Sequence, residues 1–155
     1  MIVRDARPEE AEALFEVQRS ASLAALAHVF PPERYPYPDE EVRERWRQLA
    51  ADDEARVLVA ERSGRALAVA VAVPCWLHGL YVVPESWGSG LAVRLHDAAV
   101  AHLRARGCDE VRLWVLEENA RARRFYERNR WRPNGETRLV SYPPQPLDVG
   151  YSLAL

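Results

Sequence analysis

A short glycine loop lies between two segments of contrasting pattern. Before it, Leu80 to Val83 has the β-branched and aromatic composition of a buried strand. After it, apolar residues recur at a spacing of four, which predicts a helix: Leu91, Leu95, Ala99 and Leu103. The first amides of a helix lack intrahelical partners and lie at the positive end of its dipole, so they can bind an anion. The loop therefore predicts a phosphate-binding cradle of five backbone amides: Gly88, Ser89, Gly90, Leu91 and Ala92.

A second segment supplies a candidate proton donor. Asn119 is a plausible N-cap for a helix that carries the aromatic pair Phe125 and Tyr126. A phenol with a pKa near ~10 is protonated at neutral pH, so Tyr126 can donate a proton to a leaving group. On the residues alone, Tyr126 fits a packed aromatic of a short helix as well.

The strand before the loop carries a candidate base. His78 lies two residues before Leu80, and strand alternation predicts that Trp76, His78 and Leu80 share one face. An imidazole with a pKa near ~6.5 can take a proton from a substrate ammonium, directly or through water. Glu85, which lies past Pro84, is a second candidate, and water is a third. A purely structural histidine fits the same pattern.

Together the two segments resemble the GCN5-related N-acetyltransferase (GNAT) family. The phosphate loop of that family reads (Gln/Arg)-x-x-Gly-x-(Gly/Ala), and it aligns here with residues 87–92. Trp87 replaces the usual Gln or Arg, and Ser89 stands where Arg is frequent. The family's later signature, Asn-x-x-Ala-x-x-Phe-Tyr-x-x-x-Gly-Phe, corresponds to Asn119, Ala122, Phe125, Tyr126 and Trp131. Arg130 replaces the glycine, so we expect Asn129 to take the left-handed turn instead.

The resemblance implies an N-acetyltransferase that moves an acetyl group from acetyl-CoA to a primary amine of a small molecule or peptide by direct attack. It also implies that Tyr126 protonates the departing thiolate and that some members carry a histidine base at the position of His78. The implied cofactor-binding residues are Tyr81, Val82, Val83, Trp87, Gly88, Ser89, Gly90, Leu91, Ala92, Asn119 and Tyr126. A homodimer is one assembly that the family suggests, and the oligomeric state stays open.

The acceptor pocket is expected in the segments least like the motifs. By resemblance these are the proline-rich loop after the first helix and the last hairpin. Their aromatic residues can bind an apolar or aromatic amine by stacking and by cation–π contacts. The predicted substrate-binding residues are Phe30, Tyr35, Tyr37 and Trp76, whereas Trp46 is expected in the core.

Length and composition predict one α/β domain over residues 1–155, with 48% apolar residues and a formal net charge of −2. A dedicated nucleic-acid-binding domain would be clearly basic, so no nucleic-acid partner is expected. Cys75 and Cys108 have neither disulfide-framework nor zinc spacing, so they are predicted to be free thiols in a reducing compartment. No apolar run approaches the ~20 residues of a membrane span. A cytoplasmic protein without a metal or a membrane partner is therefore expected.

The pattern along the chain predicts an α/β sandwich, a mixed sheet flanked by helices. The predicted elements are a strand at 2–5, a helix from Pro8 to about Val29, a helix capped by Asp39, a hairpin turning at Ser63 and Gly64, a strand at 75–83, a helix at 90–106 ended by Gly107, a strand at 110–116, a helix from Asn119 to about Arg128, and strands near 137–142 and 148–154.

Other activities remain as alternatives. A non-catalytic acyl-CoA-binding module on the same fold would suit the departures at Trp87 and Ser89. A tRNA-acetylating toxin is disfavoured by the acidic balance. A dinucleotide fingerprint would need a third glycine where Val93 stands. Hydrolase chemistry would need a G-x-S-x-G elbow, which neither Ser86 nor Ser89 provides.

Overall fold

A computed structural model describes all residues from 1 to 155. Its helices and strands follow the predicted order. They are β1 (Ile2–Asp5), α1 (Ala11–Ala25), α2 (Asp39–Ala51), β2 (Arg56–Arg62), β3 (Arg65–Val73), β4 (Trp76–Val82), α3 (Leu91–Ala105), β5 (Glu110–Leu116), α4 (Ala120–Arg128), β6 (Arg132–Leu139) and β7 (Leu147–Ala154). Single 3-10 turns at Pro8–Glu10 and Pro84–Ser86 precede α1 and the glycine loop.

The seven strands form one mixed sheet in the order β1-β2-β3-β4-β5-β7-β6. All neighbours are antiparallel except β4 and β5, which are parallel and pair only at Trp76 and Arg112. One backbone hydrogen bond, from Arg112 N–H to Cys75 O at 3.1 Å, marks this junction. Beyond it the two strands diverge, and the facing edge of β4 is left without a strand partner. The split opens a wedge in the middle of the sheet.

Helices cover both faces of the sheet. Six successive residues of β3, from Leu67 to Ala72, are buried, which requires cover on each side. α1 and α3 both pack on β3, and α2 packs on α1. The core joins large apolar side chains from these layers, among them Phe15, Trp46 and Leu103. This packing makes the wedge a cleft with well-packed walls.

Cys75 and Cys108 form a disulfide, so the prediction of two free thiols is wrong. The fold brings the turn before β4 beside the end of α3, with the two Cα atoms 5.6 Å apart across 33 residues of sequence. Spacing along the chain carries no information about this approach, which depends on the tertiary fold. The bond ties together the turns that precede β4 and β5, next to their single point of pairing. The free-thiol argument for a reducing compartment no longer holds.

Removal of the disulfide is expected to destabilise the protein. The Cys75→Ser, Cys108→Ser double variant should lose about 2–4 kcal/mol of unfolding free energy, because the unfolded chain regains the freedom of a closed loop. Urea unfolding measures the change. Reductant should produce a similar loss in the native protein and no further loss in the double variant. An unchanged midpoint in both experiments would contradict this role.

Several predicted boundaries differ from the structure for local reasons. α1 ends at Ala25 rather than near Val29. Asp39 is the first helical residue of α2 and caps nothing, because its carboxylate accepts a hydrogen bond from Arg19 Nε at 3.0 Å. Arg130, not Asn129, takes the left-handed backbone conformation, with φ 74°. Asn129 stays right-handed, since its side-chain amide donates to Phe125 O at 2.8 Å at the helix end.

The last hairpin starts earlier than predicted. β6 begins at Arg132 and β7 at Leu147, and every residue of β6 is exposed. An edge strand without buried positions has no apolar alternation, so the sequence pattern cannot reveal it. The turn at Ser63 and Gly64 and the helix end at Gly107 agree with prediction, with φ of 52°, 78° and 92°. No helix in the fold combines the length and the apolar character that crossing a bilayer would require.

Candidate active site

A cleft of about 720 Å³ occupies the wedge between β4 and β5. Its walls come from α1, β4, the glycine loop, β5 and α4. The predicted cofactor residues that line it are Tyr81, Val82, Trp87, Gly88, Gly90, Leu91, Ala92, Asn119 and Tyr126, and the candidate base His78 lines it too. Val83 and Ser89 do not. The fold thus gathers the two sequence motifs, which are about thirty residues apart, around one space.

The glycine loop presents five backbone N–H groups that have no partner in the protein. They belong to Gly88, Gly90, Leu91, Ala92 and Val93. The amide of Ser89 is not among them, because it donates to Ser86 O at 3.2 Å. Both glycines have a positive φ, 78° and 85°, and a Cβ at either would point into open space. The cradle therefore fits an anionic group, with Val93 in the place predicted for Ser89.

Trp87 brings an arginine beside the glycine loop. Its indole Nε1 donates to Val82 O at 2.8 Å, so the ring has no donor left for an anion. The guanidinium carbon of Arg121 lies 3.9 Å from the centroid of the ring. The cation–π contact places a positive charge beside the loop. Two further arginines of α4, Arg124 and Arg128, also line the cleft.

Tyr126 is almost fully buried, with 8% of its surface exposed, yet it borders the cleft. Its ring packs against those of Phe125, Trp131 and Tyr151 at centroid distances of 5.4 to 6.5 Å. Burial, and after it the neighbouring Tyr81, raises the pKa of Tyr126 well above its usual value. The phenol is therefore protonated at neutral pH and can act as a hydrogen-bond or proton donor.

Hydrogen bonds near both ends hold α4, the helix that carries Tyr126. Asn119 Oδ1 accepts from Ala122 N–H at 3.2 Å, which confirms Asn119 as the N-cap of α4. At the other end, Trp131 Nε1 donates to Nε2 of the buried His96 at 2.9 Å. An indole can only donate, so the proton of His96 is on Nδ1, which lies 2.8 Å from Asp97 Oδ1. No sequence signal marks His96, because its partner is 35 residues away.

His78 lies at a β-bulge in β4. Leu77 pairs with Ala72 and Gly79 pairs with Val71, so His78 has no partner on β3. The extra residue reverses the alternation, and Trp76 faces the opposite side from Leu80. The prediction that Trp76, His78 and Leu80 share one face is therefore wrong.

The surroundings of His78 favour its neutral form. Partial desolvation lowers the pKa of His78, and the positive charges of Arg45 and Arg138 lower it further. At pH 7 the imidazole is free to accept a proton.

Glu85 is not brought to the site. It is exposed on the far side of the Pro84 turn, where its carboxylate pairs with Arg65. Hydrogen bonds from a backbone amide and from Arg65 lower the pKa of Glu85, and these contacts occupy its carboxylate outside the cleft. The structure contains no group of three or more His, Cys, Asp or Glu side chains arranged to hold a metal ion.

The four predicted acceptor aromatics do not line the cleft. Phe30 packs on Tyr142 at 5.7 Å, and Tyr35 contacts the neighbouring Arg34. Tyr37 packs against Phe15, and burial raises the pKa of Tyr37 to about 12.

Trp76 reaches the site only through another ring. It stacks on Trp114 at 6.3 Å, and Trp114 lines the cleft. Trp46 lies in the core, as expected, where its Nε1 donates to Gln18 Oε1 at 2.8 Å. Sequence reasoning missed Trp114 and Asp148, two cleft residues outside the motifs.

Residues 21–130 match the model of the acetyltransferase (GNAT) family. The chain belongs to the GNAT family. It is 31% identical over 97 residues to an uncharacterized N-acetyltransferase of Archaeoglobus fulgidus, covering 56% of this chain and 66% of that protein. It is 36% identical over 117 residues to the mycothiol acetyltransferase of Thermobispora bispora, covering 68% of this chain and 39% of that protein. The chain thus spans less than two thirds of the length of these curated relatives.

Solved structures agree on the fold. The PaiA N-acetyltransferase of Thermoplasma acidophilum, in complex with coenzyme A, superposes with a TM-score of 0.74 at 18% identity, covering 99% of this GNAT chain and 98% of that one. A ribosomal-protein-alanine N-acetyltransferase of Brucella melitensis gives a TM-score of 0.77 at 19% identity over the full length of both chains. The GNAT family membership and the α/β GNAT fold predicted from the two motifs are confirmed.

Proposed function

We propose that this GNAT protein transfers an acetyl group from acetyl-CoA to a primary amine of a small molecule or peptide by direct attack. One observation carries the proposal: the five unpartnered amides of the glycine loop and the hydroxyl-bearing ring of Tyr126 border the same cleft. The first set suits a pyrophosphate, and the second suits a leaving thiolate. When bound, acetyl-CoA supplies the activated thioester carbonyl.

Different parts of the cleft bind different parts of coenzyme A. The amides of Gly88 and Gly90, with the first three of α3, hold the pyrophosphate, and Arg121 adds a charge. The free edge of β4 holds the pantetheine arm by strand addition. The N–H of Val83 donates to Leu67 O on β3 at 2.9 Å. Because strand amides alternate in direction, those of Leu80 and Val82 face the wedge and can stabilise an oxyanion.

Two side chains handle protons. His78, directly or through water, takes the proton from the acceptor ammonium, since the lowered pKa of His78 keeps the ring neutral. Tyr126 donates its proton to the departing sulfur, since the raised pKa of Tyr126 keeps the phenol protonated until then. The two groups lie on separate walls of the cleft, on β4 and α4, so one can serve the nucleophile and the other the leaving group.

Gly90→Ala is expected to weaken coenzyme A binding at least tenfold. A side chain at φ 85° strains the backbone and projects from the anion cradle. Gly135 is a matched control, since its φ is also 85° and a Cβ there also meets open space, in the exposed strand β6. Both alanine variants should lose similar stability, about 1–2 kcal/mol. Calorimetric titration with coenzyme A measures affinity, and equal affinities in the two variants would contradict the cradle.

Arg121→Gln is expected to weaken coenzyme A binding about tenfold, because it removes a charged partner of the phosphates. Binding of pantetheine, which has no phosphates, should not change. Arg104→Gln is the control, since Arg104 is an exposed arginine in the last turn of α3, whose first turn adjoins the glycine loop. If Arg121→Gln bound coenzyme A as tightly as Arg104→Gln, the proposed contact between Arg121 and the phosphates would be disproved.

Thiol release from acetyl-CoA tests the proposed activity. The panel comprises aromatic amines, polyamines, amino acids, aminoglycosides and peptides, and mass spectrometry identifies an acetylated product. We expect saturable release with one class. Acetyl-CoA that raises the melting temperature without any release would favour a non-catalytic binding module, and no melting shift at all would refute the cofactor assignment.

Location and assembly stay predictions of this proposal. The cytoplasmic location can be tested by alkylation trapping of cell extracts, where reduced Cys75 and Cys108 would agree with it and an oxidised pair would oppose it. Sedimentation equilibrium tests the homodimer.

A further inference from the structure

Asp148 is the only carboxylate among the residues that line the cleft. It is 7% exposed, and its Oδ2 accepts a hydrogen bond from Arg138 Nε at 3.0 Å. Its Oδ1 makes no hydrogen bond within the protein, yet it is not sealed from solvent. A buried carboxylate with one satisfied and one open oxygen is poised to accept a hydrogen bond from a ligand.

The charges of the cleft are divided between the two faces of the sheet. Tyr151 of β7 contacts Arg123 and Tyr126 of α4, and Asp148 lies three residues earlier on the same strand. Because strand side chains alternate, Asp148 faces away from α4 and its cleft-lining arginines. The lining arginines therefore lie on one side of the sheet, and the one lining carboxylate lies on the other, where Arg138 pairs with one of its two oxygens.

We infer that Asp148 binds the ammonium group of the acceptor amine through Oδ1. This inference rests on the proposed acetyl transfer and assigns the acceptor end of the same cleft. The ammonium donates one hydrogen bond to Asp148 and loses another proton to His78 or water before attack. Asp148 is thus the acceptor-binding residue, and the acceptor enters from the α1 and α2 face.

A stack of side chains across four strands holds Asp148 in place. Trp76 of β4 stacks on Trp114 of β5 at 6.3 Å, and the Arg138 guanidinium of β6 lies 4.5 Å from the Trp114 ring. In the sheet order, Trp114 lies between Trp76 and Arg138. The stack fixes Arg138, and Arg138 directs Oδ2 away from the ligand. Trp76, predicted to touch substrate, instead supports the residue that does.

Amine binding by Asp148→Asn tests the inference. The probes are butylamine and phenethylamine, each paired with its neutral isostere, 1-butanol or phenethyl alcohol, and titrated by NMR against protein with and without coenzyme A. Native protein should bind at least one amine more tightly than its alcohol. Asp148→Asn keeps the shape and an acceptor for Arg138, and it should lose that preference, with the amine Kd rising about tenfold or more.

Two further variants separate binding from structure. Asp109→Asn removes an exposed carboxylate at the turn before β5 and should keep the preference. Asp148→Glu should restore part of it. Equal amine and alcohol affinity in native protein, or an unchanged preference in Asp148→Asn, would overturn the inference. Coenzyme A binding is recorded in the same titrations, so a failure of the cofactor assignment would be seen separately.

Discussion

Tyr126→Phe is expected to lower kcat by about 10²–10⁴-fold, the usual contribution of a general acid. The affinity for coenzyme A should change little, because the ring still fills its aromatic pocket and only the hydroxyl is lost. Since the pKa of Tyr126 is raised, the native protein should show no alkaline loss of activity from this group below pH ~10. Steady-state kinetics with the best acceptor of the panel, across pH, measures both effects.

Tyr151→Phe is the matched control for this change. Tyr151 packs on Tyr126, is fully buried, and accepts a hydrogen bond from Arg123 Nε at 3.0 Å. Loss of that bond should cost about 1 kcal/mol of stability and leave kcat nearly unchanged. If the two variants had the same kcat at every pH, Tyr126 would be a packing residue and not the acid.

His78→Gln is expected to lower kcat/KM by about 10²-fold at pH 7 and to abolish the acidic limb of its pH profile. The position of this limb follows from the surroundings of His78. Desolvation and the cations Arg45 and Arg138 lower the pKa of His78, so the native limb should lie below the usual imidazole range near ~6.5.

Arg45→Gln should move that limb to higher pH, because removal of a nearby positive charge raises the pKa of His78. His28→Gln is the control, since His28 is an exposed histidine whose Nε2 lies 2.8 Å from Glu118 O, and it should leave the profile unchanged. Persistence of the limb in His78→Gln would assign the base elsewhere.

The predictions that agreed with the structure rest on local rules. Asn119 caps α4 and Gly107 ends α3, because capping depends on a few neighbouring residues. The glycine loop follows a strand and starts a helix, which is again decided by neighbouring residues. Both motifs border one cleft because the family fold brings them together. Tyr126 lies at that cleft, as the resemblance implied.

The differences arise where distant segments meet. Asp148 is bound by Arg138 across the hairpin, and the Trp87 ring lies beneath Arg121 of α4. The bulge at His78 depends on the register with β3. None of these contacts produces a periodic pattern or a fixed spacing in the sequence, so they become visible only in the folded structure.

A crystal structure of the protein with coenzyme A tests the central claim most directly. We expect the pyrophosphate on the free amides of Gly88, Gly90 and the first turn of α3, and the sulfur beside the Tyr126 hydroxyl. The acceptor end of the cleft, at His78 and Asp148, should stay open to an amine. Coenzyme A bound elsewhere, or bound here with its sulfur turned away from Tyr126, would contradict the proposed transfer.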